Sequence, residues 1–209
     1  AFLKNYINID LEKSILQSNS KNYVTKFLEK EKKINSDIIE IHNRPNYIQY
    51  LKEVDNKKII LYFHNDPLSM NGSSTVEDRI RLLNRIDKIL FNSKWSQERF
   101  FIGIGNKVLL KQKTSVCYQS TSKFKVDFKK KENLISFVGK LNNAKGYDIF
   151  GKAILKILDK HNSWKAVVIG DEPREKIFFK HKNLFIKGYV KHEEVLKILN
   201  KVSISVVCS

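Results

Sequence analysis

Leu134-Ile-Ser-Phe-Val-Gly-Lys-Leu-Asn-Asn-Ala-Lys-Gly-Tyr-Asp-Ile-Phe150 decides how the chain is read. Leu134 to Val138 is a short apolar run halted by Gly139, the form taken by a strand buried in a parallel sheet. From about Lys145 to Leu158, Phe150, Ile154, Ile157 and Leu158 recur at helical spacing, so a helix follows. The turn between them holds Gly139, Lys140, Asn142, Asn143 and Lys145. A helix start presents unpaired N–H groups and partial positive charge, and two lysines on one turn can flank a single anion. Phosphate or diphosphate is the guest that suits this turn. The plainer reading is a pair of solvated loop lysines.

The same arrangement repeats outward from this stretch. On its C-terminal side, Trp164–Asp171 is an apolar strand reaching Gly170, and Asn183–Gly188 is a shorter one. Glu193–Val202 is a helix with Val195, Leu196 and Leu199 on one face, and Ser203–Cys208 is a fourth strand. On the N-terminal side, Gln119–Asn133 is polar and rich in lysine, which marks a linker between a first domain (residues 1–118) and a second (134–209). Within the first domain, Asp37–Asn43, Lys57–Pro67, Asp87–Ser93 and Thr114–Tyr118 read as strands. Helices are expected at Lys21–Lys33, Pro45–Glu53, Ser74–Ile86 and Trp95–Phe101. Ser74-Thr-Val-Glu77 reads as a capping box, and Ser93 as the cap of the helix after it. The start of the chain is weakly patterned, with a short extended piece near Phe2–Ile9. Strands alternating with helices imply an α/β protein with parallel sheets and right-handed crossovers in both halves. Ligands of such sheets bind beyond the carboxyl ends of the strands, which puts His42, His64, Ser93, Gly139, Gly170 and Gly188 on binding edges.

With 209 residues, 42% hydrophobic and 29% charged, the chain has the composition of a globular protein with room for two cores. No window is apolar enough for a membrane helix, and no signal peptide is visible. Ala1 is not a start methionine, so removal of an upstream segment is compatible with the sequence. The 2 cysteines, Cys117 and Cys208, lie in apolar runs without metal-ligand spacing and are expected to be buried free thiols in a reducing cytoplasm. The net charge of +17 comes chiefly from lysines scattered over the whole chain. That pattern, alongside abundant Asn and Ile, is read as genome composition, with attraction to an anionic membrane as a secondary expectation. No helix-turn-helix, zinc-ligand or aromatic RNA-binding pattern is present, so nucleic acid is not expected as a partner.

The residues resemble the GT-B glycosyltransferases of the family-4 type, which carry two Rossmann-like domains. Phe-Val-Gly-Lys-Leu-Asn-Asn-Ala-Lys-Gly-Tyr-Asp148 is similar to that family's Val-Gly-Arg-Leu segment followed by Lys-Gly. Val-Val-Ile-Gly-Asp-Glu-Pro-Arg174, Phe-Ile-Lys-Gly-Tyr-Val190 and Val-Ser-Ile-Ser-Val-Val-Cys-Ser209 resemble its next three strands. Ile-Glu-Ile-His-Asn43, Leu-Tyr-Phe-His-Asn-Asp66 and Lys-Ile-Leu-Phe-Asn-Ser93 resemble, in order, strand ends of its first domain. Two departures stand out. Lys140 replaces the usual arginine and loses its planar two-pronged contact. The chain also stops where the family places a Glu-x7-Glu segment, and the glycine-rich start of the first domain is missing, so it reads as an internal fragment with both domains incomplete.

The resemblance implies a retaining transfer of a sugar from a nucleotide-diphosphate sugar to an acceptor hydroxyl. It implies Gly139, Lys140 and Lys145 at the donor diphosphate, and Gly170, Asp171, Gly188, Tyr189 and Val190 at the nucleotide. Tyr189 has ordinary packing as its alternative. His64 would face the donor sugar as the catalytic residue, with His42, Asn43, Asn65 and Asp66 on the acceptor side. A histidine at a strand end is otherwise most often hydrogen-bonded to its neighbours, and His161, His181 and His192 read as surface residues. No Asp-x-Asp pair is present, so no metal and no cofactor are expected, with lysines supplying the positive charge. The partners implied are a nucleotide sugar and a saccharide or lipid-linked acceptor, at the inner face of the membrane in surface polysaccharide or glycolipid synthesis. The alternatives are a non-catalytic basic α/β protein that binds nucleotide or nucleic acid, and another GT-B enzyme such as a phosphorylase or epimerase.

Overall fold

The computed structural model describes residues 7–10, 18–51, 57–105, 112–121, 124–175 and 177–208. They divide into two compact units, Ala1–Thr121 and Ser122–Ser209. The Phe2–Tyr6 part of the expected N-terminal strand, and Glu53, lie outside the described residues.

The first unit runs α1 (Asn19–Ile34), β1 (Ile38–His42), β2 (Lys58–Phe63), α2 (Val76–Arg85), β3 (Lys88–Phe91), α3 (Lys94–Phe100) and β4 (Thr114–Val116). Its strands form one parallel sheet in the order β1-β2-β3-β4. Ile39 and Ile41 of β1 are buried between exposed neighbours, the alternation of an edge strand, whereas Leu61, Tyr62 and Phe63 of β2 are buried in succession. Phe63, Phe91 and Phe100 meet with ring centroids 5.3 to 5.7 Å apart and are fully buried. Each contributes about 2 kcal/mol by leaving water. The buried Arg79 guanidinium donates to the carbonyls of Ser73, Ser74 and Ile102, tying the loop before α2 to the turn after α3.

The second unit runs β5 (Glu132–Val138), α4 (Tyr147–Lys160), β6 (Lys165–Ile169), β7 (Leu184–Ile186), α5 (His192–Lys201) and β8 (Val202–Val206). All pairings are parallel, in the order β7-β6-β5-β8. The chain moves outward from β5 through β6 to β7, then α5 returns it to the other side of β5. Strand order therefore reverses between β5 and β8, and the crevice at such a reversal is where doubly wound sheets hold ligands. On one face, Phe137, Tyr147, Phe150 and Ile154 pack together with Phe179, and on the other Val167, Ile169 and Val202 pack under α5. Asp127 N–H donates to Asn200 Oδ1 at 2.9 Å and Lys131 Nζ to the Val202 carbonyl at 2.7 Å, so the end of the lysine-rich stretch packs on this unit.

Several local expectations change. The short helix expected over Pro45–Glu53 is a 3₁₀ helix over Pro45–Tyr50. Thr75, not Ser74, caps α2, because its hydroxyl accepts from Asp78 N–H. The helix expected from about Lys145 begins at Tyr147, because the Asn142 side chain closes a 3₁₀ turn over Asn143–Lys145 and Gly146 follows at φ +65°. Cys117 and Cys208 are free, but neither is buried or in a strand: β4 ends at Val116 and β8 at Val206, although Cys117 N–H still donates to the Phe91 carbonyl at 2.8 Å. His181 is largely covered, accepting from Asn183 N–H at 3.0 Å with Nε2 3.4 Å from Asp159.

Gly151 of α4 faces the Phe179 ring so closely that a Cβ there would lie 1.9 Å from it. Gly151→Ala is expected to lower the stability of the second unit by about 1–3 kcal/mol, the usual range for an overpacked core. Gly105→Ala, which meets nothing within 4 Å, is expected to change stability by less than about 0.5 kcal/mol. Urea midpoints of the two variants check both statements.

Candidate functional site

The carboxyl edge of the second sheet is built by a backbone contact. Gly170 has φ +143° and a Cβ on it would stand 1.8 Å from the Gly139 carbonyl oxygen, so only glycine lets β5 and β6 end side by side. Gly139 N–H donates to the Ile169 carbonyl at 3.0 Å and Gly170 N–H to the Gly188 carbonyl at 2.9 Å, joining three strand ends. On the β8 side, Gly146 is buried against Cys208, whose Cβ would be 2.4 Å from a side chain at 146. The turn from Lys140 to Gly146 thus sits at the reversal of strand order.

That turn is cationic, and the N–H groups of Asn142, Asn143, Lys145, Gly146 and Tyr147 on it are already donated to partners within the unit. Lys140 and Lys145 are exposed on it, and no side chain caps α4. Asn142 Oδ1 accepts from Lys145 N–H at 3.1 Å, and the Glu175 carboxylate accepts from Asn143 N–H at 3.2 Å. Tyr189 is 83% exposed, which removes ordinary packing as its explanation, while Val190 packs into the core beneath α5. Asp171 is exposed.

Glu172 was not marked as a site residue by the sequence, yet its side chain is only 4% exposed. Arg174 grips it with Nε at 2.7 Å and Nη2 at 2.9 Å, and Lys140 Nζ lies 4.0 Å away. The Arg174 hydrogen bonds, outweighing burial and helped by Lys140, hold its pKa at about 2. A carboxylate two residues before an arginine, just past a strand-ending glycine, is the signal that was legible and went unused.

On the first unit, His42 and His64 end β1 and the segment after β2, and the sheet brings them together: His42 Nδ1 and His64 Nε2 are 2.9 Å apart. His64 Nδ1 is 2.7 Å from Gln119 Nε2, and His42 Nε2 is 3.5 Å from Glu40. His64 also stacks near Tyr62, with ring centroids 4.4 Å apart. Burial, then the His42 charge, lowers its pKa, against an opposing pull from Glu40. Both ring nitrogens of His64 are engaged, so a sugar hydroxyl reaching either one must displace His42 or Gln119.

Asn43 holds this edge in place. At φ +57° it gives its N–H to the Tyr62 carbonyl, and its Oδ1 accepts from the N–H groups of His64 and Asn65. Asp66 accepts from Leu68 N–H and pairs with Arg99 at 2.8 Å, and the Arg99 hydrogen bond chiefly lowers its pKa. Arg99 lies 5.6 Å over the Trp95 ring. The polar atoms of Asn43 and Asp66 are therefore bound within the unit, while Asn65 and His42 are exposed. Beside His42 and Asn43, a cleft of about 560 Å³ opens between α1 and β1, lined by Tyr23, Phe27, Arg44 and Tyr47, with the two tyrosine rings 5.4 Å apart. Among the described residues no group of three or more His, Cys, Asp or Glu side chains is placed to hold a metal ion.

Residues 119–209 match the family described as glycosyl transferases group 1. Those residues, somewhat under half of the chain, are similar to group 1 glycosyl transferases. The two parallel sheets are those of the GT-B fold. TarM is 13% identical, with a TM-score of 0.67 over 89% of this chain and 40% of its own. Anabaena HepE, solved with UDP and glucose, is 13% identical with a TM-score of 0.62 over 94% of this chain and 59% of its own. A putative UDP-N-acetylglucosamine 2-epimerase from Listeria monocytogenes is 12% identical with a TM-score of 0.55, over 95% of this chain and 59% of its own. At these identities the likeness shows the fold alone, and the chain spans about two to three fifths of the neighbours' lengths. No curated protein matches the chain. The departure at Lys140 lies within the matched residues, and there the lysine has Glu172 as a neighbour.

Because Glu172 is ionised down to about pH 2 in the folded chain, its unfolded form binds more protons between about pH 2 and the ordinary carboxylate range. Stability from the Glu172–Arg174 pair is therefore fully present above about pH 5 and lost as pH falls toward 2. Glu172→Gln is expected to be less stable than the parent at pH 7, with the gap closing steadily below pH 4. Urea midpoints from pH 2.5 to 7 would show it; a gap independent of pH would mean the pair is not ionic.

Proposed function

We propose that this chain carries the donor edge and much of the acceptor edge of a retaining glycosyltransferase that moves a sugar from a nucleotide-diphosphate sugar to an acceptor hydroxyl. The observation that supports this best is the β5–α4 turn, with two exposed lysines and an uncapped helix start at the point where strand order reverses. In such a transfer the leaving diphosphate gains negative charge, so fixed cations and backbone N–H groups at the phosphates stabilise the transition state. Gly139, Lys140 and Lys145 take that role in this reading, with no metal ion required. Lys140 would exchange its long contact with Glu172 for phosphate oxygens.

The nucleotide lies against Gly170, Asp171, Gly188 and the exposed ring of Tyr189, which is free to stack on a base. Val190 supports the segment from below. His64 faces the sugars, and the tyrosine-lined cleft beside His42 suits the apolar face of a saccharide acceptor or the carrier of a lipid-linked one. HepE and MnaA have been solved with UDP, and TarM with alpha-GlcNAc-glycerol and UDP, which favours a UDP-sugar and a surface-glycan acceptor here. Exposed Phe128 beside Lys129 and Lys130 supports peripheral contact with an anionic membrane at its cytoplasmic face. The epimerase neighbour shares the fold, and the group 1 match at residues 119–209 favours transfer over epimerisation.

Calorimetric titration with UDP, GDP and ADP tests the donor edge. One nucleotide is expected to bind selectively, and Lys140→Ala or Lys145→Ala to weaken it about tenfold or more, as losing a charged hydrogen bond does. Binding that follows total salt and ignores both lysines would point instead to a general polyanion binder.

A further inference from the structure

The histidine pair on the first unit belongs to a longer row of hydrogen bonds whose sense is fixed from one end. His42, His64 and Gln119 follow one another at 2.9 and 2.7 Å, and the Glu40 carboxylate lies 3.5 Å beyond His42 Nε2 as a loose ion-pair contact. The Gln119 amide NH₂ only donates, so His64 Nδ1 is an acceptor and the proton of neutral His64 is on Nε2. His64 Nε2 then donates to His42 Nδ1, which leaves the proton of neutral His42 on Nε2, on the side of Glu40. The backbone fixes the ring that carries this choice: Asn43 Oδ1 holds His64 N–H, and Asn92 Nδ2 donates to the His64 carbonyl at 2.6 Å.

We propose that His42 and Gln119 are positioning residues that hold His64 as a neutral imidazole with its proton on Nε2, and that one added proton reverses the row. This rests on the reading of His64 as the residue that faces the sugars. With one proton added, both nitrogens of one ring carry hydrogen. Whichever ring that is, His64 Nδ1 becomes a donor, and Gln119 must turn its carbonyl oxygen toward it. A second proton would set two cations against each other at 2.9 Å and is excluded near neutral pH.

The other groups facing the pair do not titrate in this range. Tyr62 gives its hydroxyl to the Cys117 carbonyl, and burial raises its pKa further. Arg44 donates to the Asn43 carbonyl, and Asp66 is held by Arg99. Between about pH 5 and 8 the row therefore takes up a single proton and changes which face of His64 donates. A substrate hydroxyl replacing Gln119 would meet an acceptor nitrogen at neutral pH and a donor at acid pH.

Two-bond ¹H–¹⁵N correlation spectra of the ¹⁵N-histidine-labelled chain, with His64 assigned through His64→Gln, read the tautomer directly and need no sugar. The parent is expected to show Nε2–H at pH 8 and one shared proton uptake on acidification. Gln119→Leu, which removes the partner of Nδ1, is expected to give mixed tautomers. Gln119→Glu, whose carboxylate only accepts, is expected to force Nδ1–H and move the uptake up by about one pH unit or more. His42→Phe should decouple the titration while leaving the amide spectrum of the rest of the unit in place. A parent with Nδ1–H at pH 8, or tautomer and uptake unmoved in both Gln119 variants, would overturn the proposal. Failure of the nucleotide titration would leave these spectra untouched, so the two readings fall separately.

Discussion

The Gly139 carbonyl oxygen fills the space where a side chain at residue 170 would stand, and the second unit's candidate site depends on that contact. Because β5 and β6 end with their backbones in touch, the chain after Val138 has to leave the sheet sideways, across the top of β5 and toward β8. It meets Cys208 there, which is why Gly146 also lacks room for a side chain. Two glycines at two close approaches thus fix both ends of a seven-residue turn, and the lysines on it inherit their position from the backbone. Replacing Lys140 by another cation alters the chemistry of the turn, whereas enlarging Gly170 removes the turn's footing.

The succession of strands and helices and the parallel sense of both sheets were legible because apolar runs alternating with helical spacing imply crossovers, whereas the spatial order of the strands comes from the structure. The glycine-ended strands at Val138 and Ile169 could be read because buried parallel strands are continuously apolar, and the one at Ile186 by its apolar run alone, since Phe185 and Ile186 are exposed. Helix starts were less legible. Asn142 and Gly146 insert a short 3₁₀ turn before α4, a choice made by one side-chain hydrogen bond that periodicity does not register. Thr75 beat Ser74 to the α2 cap for a similar reason, since both offer a hydroxyl and only the packed geometry separates them. The cysteines misled because apolar neighbours imply a strand, yet β4 ends one residue before Cys117 and β8 two residues before Cys208.

The candidate site was legible in its residue types and less so in its pairings. Lys140, Lys145, His42 and His64 stand on carboxyl edges as expected, because strand ends can be counted. That Glu172 is buried beneath Arg174, and that Asn43 and Asp66 have their polar atoms tied up inside the unit, are facts of three-dimensional distance. Sequence patterns report which groups reach an edge. They are silent on which of those groups already have a partner, and that decides which remain for a ligand.

Glu172 gives the charge of this edge its logic. Two exposed lysines and an arginine crowd positive charge at this edge, and an anion among them offsets their repulsion. A buried carboxylate with a pKa of about 2 keeps a negative charge at the centre at every physiological pH. The attachment is unequal. Arg174 holds Glu172 with two short bonds, whereas Lys140 touches it only at 4.0 Å and keeps most of its side chain in water. Glu172 therefore anchors Arg174 and merely restrains Lys140. Of the two cations only the lysine can swing to an incoming phosphate without leaving a buried charge unpaired, a loss that would cost far more than breaking a long surface contact. An arginine at position 140, with its own planar fork, would compete with Arg174 for the same carboxylate. The lysine found there avoids that competition, which gives the family-pattern departure a physical reason within this chain.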